Sequence, residues 1–396
     1  MTPVRYDPYD AEVMRDPHPV YRRLREEDPV HRIVGYDAWA VSRMEEVWSC
    51  FARPEVLSNT GGITAAQLLQ HRMAPYVALG NLDPPVHTVR RGAVKPWFSA
   101  RQAAEQRGVV QEVCRARLAE LREAEGFDAV VDYGLHLSVT MVCELLAIPT
   151  SDRPLLTDWV RQIFYRTAEE AGLTAAGADA YEQILRYCAE HASARRRQPR
   201  GAEEDLLGRY LALDRGDGRA LDEDEVASHL REMVIGGSET NPKVLAAALN
   251  RLWLDPAQRA EVAADRTLVP KAFDEALRID TPGQFMGRLA IDDLELGGRR
   301  IGKGDVVLLL VASANRDDRE FAAPDTFDVH RPAHRSVGYG SGPHFCIGRN
   351  LAGVEGDVAL HELLAVAPEH VVHVDRATRA NHEMVHGFTS LPVTWA

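Results

Sequence analysis

Apolar residues recur at helical steps through the middle of the chain. Val109, Val113 and Leu118, then Leu137, Met141 and Leu145, stand four or five residues apart, which predicts a helical bulk over about 102–254. Extended segments at 30–34 and 39–41 flank Gly35-Tyr36-Asp37 and predict a hairpin, so a β-rich portion occupies about 30–45. A second extended region follows: Leu294-Glu295-Leu296, a turn at Gly297-Gly298, Ile301, a turn at Gly302-Lys303-Gly304, and an apolar strand over 306–311. Last strands are expected around 371–374 and 391–395. Asp222 and Glu225 in Leu221-Asp222-Glu223-Asp224-Glu225 form a capping-box pattern that opens a long helix. No repeat and no long Gly/Ser-rich or Pro-rich linker divides the chain, so one domain over 1–396 is expected. The fold class is mostly α with a small β portion.

Acidic residues outnumber basic ones 59 to 46 for a net charge of −13, which repels phosphate backbones and disfavours a nucleic-acid partner. Five cysteines, at 50, 114, 143, 188 and 346, form no C-x-x-C pair and no zinc-spaced cluster, as expected in a reducing compartment. The first residues lack a signal-like apolar stretch, and the longest apolar run, 306–312, is too short to span a bilayer. The expectation is a cytoplasmic protein with no membrane partner.

The chemistry gathers at Tyr339-Gly340-Ser341-Gly342-Pro343-His344-Phe345-Cys346-Ile347-Gly348, a glycine-rich loop running into a helix with apolar Ile347, Leu351, Val354 and Val358. A cysteine at a helix start meets free N–H groups and the positive end of the dipole, which favours thiolate over thiol. Glycines let a flat ligand approach the backbone. An isolated loop cysteine is more often a small apolar side chain in a turn. Here the spacing aromatic-G-x-G-x-H-x-C-x-G resembles the haem-binding segment of the cytochrome P-450 family, with Tyr339 where the family usually has Phe. The resemblance implies the cytochrome P-450 fold, with Cys346 as axial ligand of haem b iron and Gly340, Phe345 and Gly348 against the haem.

Further motifs follow in family order. Glu275-Ala276-Leu277-Arg278 places a carboxylate and a guanidinium on one helix face, but Glu12/Arg15 and Glu112/Arg115 share the pattern, so alone it reads as a surface pair. Only the third precedes Phe327-Asp328-Val329-His330-Arg331, which resembles the stretch upstream of the family's haem loop. Glu275, Arg278 and Arg331 are therefore expected to form a buried structural network. The segment 83–91 carries His87 and Arg91 four apart, resembling the family's propionate-binding pair, and Arg288 and His344 occupy matching positions.

Gly236-Gly237-Ser238-Glu239-Thr240 resembles the family's oxygen-activation signature. The resemblance implies that the glycines leave room for dioxygen, Thr240 hydrogen-bonds it, and Glu239 aids proton delivery. Two mid-helix glycines cost about 2 kcal/mol against alanines, so the room has a use. Asn241-Pro242 departs from the pattern, and Pro242 cannot donate to the Ser238 carbonyl, which is expected to fix the groove open.

By family analogy the substrate pocket is lined by 58–81, 163–187, Met233, Val234, Gly237, Phe285, Met286 and 387–389 including Phe388. The implied activity is insertion of one oxygen atom from O2 into a small or medium apolar substrate, by hydroxylation or epoxidation, in natural-product biosynthesis. Electrons would come from NAD(P)H through a ferredoxin or flavodoxin with its reductase. Arg90, Lys95 and Arg349 are expected to supply positive charge for docking. The substrate would be free or carrier-bound. The alternatives are a peroxide-dependent or rearranging haem-thiolate enzyme, and an inactive haem-free member of the fold that recruits partners.

Overall fold

The computed structural model describes residues 3–71, 78–167, 172–198, 201, 205–215, 218–332 and 335–395. Its axis is the helix Glu223–Leu254, 32 residues long. The expected capping box opens it: Asp222 Oδ1 accepts from Glu225 N at 2.9 Å, and Glu225 Oε2 accepts from Asp222 N at 3.1 Å. Its N-terminal half packs Val226, Leu230 and Val234 into a cluster with the helices Leu135–Leu145, Arg153–Phe164 and Ala175–Arg197. Its C-terminal half packs Val244, Leu245, Leu249 and Leu252 into a second cluster with the helices Ala100–Leu121, Val269–Ile279 and Arg349–Val366. Between these halves, Gly236 and Gly237 stay exposed. The longest helix thus has a bare turn at its centre.

The expected hairpin forms from Val30–Ile33 and Ala38–Val41, paired antiparallel. It continues into a five-stranded sheet: Ala38–Val41 runs parallel to Val306–Leu309, which pairs with Met286–Ala290, which pairs with Leu57–Ser58. Apolar 306–311 does not all remain strand. After Leu309 the Ala312 N–H turns back to the Gln284 carbonyl, and Val311–Ala314 becomes a helical turn. Near the C-terminus the strands are Val371–Val372 and Pro392–Thr394, shorter than expected, and Val374–Arg376 closes into a 3₁₀ turn. The hairpin of Leu294–Leu296 and Arg299–Ile301 forms as expected. Within the helical bulk, Gly126–Asp128 is a strand and Ala129–Gly134 a π-helical turn.

Candidate active site

The loop before the helix Arg349–Val366 holds its shape through two left-handed glycines, Gly340 at φ 68° and Gly342 at φ 69°, and through the Cys346 N–H bonded to the Tyr339 carbonyl at 2.9 Å. The Cys346 sulfur accepts from the Gly348 and Arg349 N–H groups. Cys346 is enclosed by protein yet keeps an accessible side chain, because it opens on an internal cleft and not on bulk water. Burial pushes its thiol up, against the two N–H donors and Arg91. Burial thus opposes the thiolate that the helix start favours, and a cation bound at sulfur would restore it.

The four expected anion-binding side chains come together. His87 and His344 stack with ring centroids 3.9 Å apart. Burial, then His87, Arg288 and Arg91, drive His344 down to about 3, and burial followed by Arg91 lowers His87. Arg288 lies over the Phe51 ring, and its buried guanidinium, lowered to about 10, donates to the Gly287 carbonyl at 2.7 Å. Arg91 donates to the Phe345 carbonyl and feels both Cys346 and Glu232 of the long helix, so it stands between the cysteine loop and that helix. Both ring nitrogens of buried His87 and Nε2 of His344 have no partner among the described residues. Each such orphan costs about 1–3 kcal/mol. A planar iron ligand bearing two carboxylates answers all of these groups at once, so the residues present fit haem.

Behind the loop the expected ion network is complete. Glu275 Oε1 and Oε2 take Arg278 Nη2 and Nε at 2.7 and 2.8 Å, and Arg331 Nε donates to Oε1 at 2.9 Å. The remaining guanidinium N–H groups are spent on carbonyls: Arg278 on Asn315 and Pro324, Arg331 on Ala322, and both on Thr326. This knot joins the helix Val269–Ile279 to the 315–331 segment that leads into the cysteine loop.

On the long helix, Gly236 has open space where a Cβ would project, and Thr240 Oγ1 reaches the Gly236 carbonyl at 3.4 Å. Glu239 is buried and paired with Lys243 Nζ at 2.5 Å. The next polar group turns to the opposite side: Asn241 Nδ2 donates to Glu355 Oε2 at 2.9 Å, and Ser138 Oγ donates to the same oxygen at 3.2 Å. Burial lifts Glu355 to about 7 despite these two donors. Lys243, one turn beyond Glu239, was readable from i,i+4 charge spacing, whereas nothing local marks Glu355. Pro242 lies within the continuing helix, and its Cα and Cβ back onto Gly134, where an added Cβ would come within 2.9 Å. Substitution Pro242→Ala is expected to let the Ser238 carbonyl regain its helical partner and to lower the fraction of electrons that end in product. Unchanged coupling, measured as product formed per NAD(P)H consumed, would sink that role.

The pocket residues divide by geometry. Met233 and Met286 are half-buried, and Gly237 is exposed, although a Cβ there would meet Val142 Cγ2 at 2.8 Å. Val234, Phe285 and Phe388 are buried. Each is closed into an apolar cluster: Val234 lies off the 236/240 face, Phe285 alternates with Met286 across the sheet, and Phe388 packs beneath Arg379. Residues 72–77 and 168–171 of the expected lining fall outside the described residues. A correction concerns Arg90, which is buried with Nη1 3.4 Å from His229 Nε2 and offers no surface charge, whereas Lys95 and Arg349 are exposed. Among the described residues no helix is long and apolar enough to cross a membrane.

The family model for cytochrome P-450 matches residues 118–366. The chain is 35% identical to cytochrome P-450 123 of Mycobacterium tuberculosis, over 98% of this chain and 96% of that protein. It is 31% identical to the 20-oxo-5-O-mycaminosyltylactone 23-monooxygenase of Streptomyces fradiae, over 95% of this chain and 89% of that one. Among solved structures, a post-tailoring hydroxylase of himastatin biosynthesis is similar at a TM-score of 0.84 and 30% identity, covering 96% of this chain and 97% of that one.

Proposed function

This chain belongs to the cytochrome P-450 family, an oxygen-incorporating oxidoreductase by its relatives, and on that premise we propose that it hydroxylates or epoxidises an apolar natural-product intermediate. The observation that carries the reading is a cysteine sulfur between two N–H donors, open to a cleft, beside stacked histidines three of whose buried ring nitrogens have no partner among the described residues. When bound there, haem supplies dioxygen activation, with electron donation from the Cys346 thiolate favouring O–O cleavage. His87, Arg91, Arg288 and His344 would hold its two carboxylates. The bare turn at Gly236 gives dioxygen room beside the long helix. Thr240 Oγ1, whose bond to the Gly236 carbonyl is long at 3.4 Å, would turn and donate to oxygen. Glu239 would pass protons through its carboxylate, which Lys243 Nζ holds at 2.5 Å.

Electrons then arrive one at a time from a ferredoxin or flavodoxin with its NAD(P)H-dependent reductase, docking where Lys95 and Arg349 lend positive charge to an acidic molecule. The intact Glu239/Thr240 pair favours this route over a peroxide-dependent one. The test is turnover of a responsive substrate with ferredoxin, reductase and NAD(P)H against turnover with hydrogen peroxide alone. The reductase route is expected to be faster, and peroxide turnover equal to it would overturn the assignment. In a Thr240→Ala variant, NAD(P)H consumption is expected to persist while product per electron falls by about tenfold or more, the electrons appearing as peroxide. Undiminished product yield would remove Thr240 from the mechanism.

A further inference from the structure

Glu232, Gly236 and Thr240 stand at i, i+4 and i+8, so they share one face of the long helix. Two of the three border the cleft. The third is a carboxylate with its surroundings already arranged. Glu232 Oε1 accepts the Gly80 N–H at 2.8 Å and the carboxylate is also bonded by the Leu79 N–H, from the turn Leu79–Asn81 that leads to the His87 segment. Gly80 permits that approach, since a Cβ there would lie 2.5 Å from Oε1. Oε2 is buried and has no partner among the described residues.

The charged and titratable groups around it do not fill that vacancy. Arg91, from the neighbouring helix, donates through Nη2 to the Phe345 carbonyl and acts on Glu232 through its charge, leaving Oε2 without a hydrogen bond among the described residues. Arg231, on the same helix, lies over the Tyr181 ring at 4.2 Å. Tyr181 and Tyr210 sense the carboxylate without bonding to it. A surface carboxylate would take water at both oxygens, and a purely structural anchor for the Leu79–Asn81 turn needs only one.

We propose that Glu232 is a specificity-determining residue whose second oxygen receives a basic nitrogen of the substrate, so that the preferred substrates are apolar molecules carrying an amine. This rests on the monooxygenase reading above and names its substrate class. A cationic nitrogen placed at Oε2 would hold the apolar remainder along the Gly236–Thr240 face, which sets the site of oxidation by distance from the amine. Burial lifts this carboxyl to about 7 against the pull of Arg231 and Arg91, and a cation at Oε2 would favour its charged form further.

The test uses the haem-loaded protein and two probes of equal chain length, decyltrimethylammonium and decanol. The first has no lone pair and cannot ligate iron, so both report through displacement of water from haem. Wild type is expected to bind the ammonium probe at least tenfold more tightly than decanol. Glu232→Gln, which keeps an oxygen for the Gly80 N–H and so keeps the turn anchored, is expected to weaken the ammonium probe at least fivefold and to leave decanol within twofold. Equal affinities in wild type, or a Gln variant with an unchanged ratio, would overturn the proposal. Absence of the thiolate-type carbon monoxide band in the same wild-type sample would instead defeat the haem reading beneath it.

Discussion

Replacing Cys346 with alanine is expected to abolish oxygen insertion and the thiolate-type spectrum while leaving the fold intact. The side chain faces the cleft, not a packed cluster, and the loop is held by the Cys346 N–H bond to the Tyr339 carbonyl and by Gly340 and Gly342, none of which needs sulfur. The loss of packing should therefore be small. The loss of chemistry should be complete, because no other cysteine is placed to substitute: Cys50, Cys114, Cys143 and Cys188 are all buried, and burial raises each of them. Two measurements check this together, turnover and the far-ultraviolet circular dichroism melt. A variant that retains turnover would refute the assignment of the axial ligand. One that fails to fold would show that the loop depends on sulfur in a way its hydrogen bonds do not reveal.

The second large effect falls on stability. Glu275→Gln leaves Arg278 and Arg331 as two guanidinium groups sharing a buried site without a counter-charge, since their other bonds go to neutral carbonyls. Breaking a buried ion pair from one side costs about 3–5 kcal/mol, a large part of a domain's total stability of about 5–15 kcal/mol. The midpoint of urea unfolding should fall accordingly, with an unchanged slope. A variant stable to within 1 kcal/mol of wild type, about the value of one exposed pair, would show that the network is not a keystone. Haem retention is expected to decline with it, because the knot ties the helix Val269–Ile279 to the segment entering the Cys346 loop.

What could be read in advance was whatever local chemistry constrains. Asp222 and Glu225 cap a helix wherever they stand in that spacing, and the loop from Tyr339 to Gly348 demands glycine where the backbone is left-handed. Glu275 and Arg278 needed Arg331 to be told from other i,i+3 pairs, and the structure joins all three. Less legible was direction. Val234, Phe285 and Phe388 are each buried in a different apolar cluster, because facing depends on which neighbours a distant part of the chain supplies. The strand Met286–Ala290 carries Gly287 and Arg288, which break apolar alternation, so its pairing with Val306–Leu309 leaves no local trace. Arg90 reads as a surface cation until His229, far along the chain, is seen beside it. Glu232 is similar: its partners Leu79 and Gly80 offer only backbone, which no residue pattern announces.

The central claim is a sulfur–iron bond at Cys346 in a cleft built for haem. Its most direct test is the carbon monoxide difference spectrum of the purified, reduced wild-type protein after haem supplementation. The band characteristic of thiolate-ligated haem is the predicted result. A colourless protein, or a band at the position of nitrogen-ligated haem in undenatured material, would contradict it.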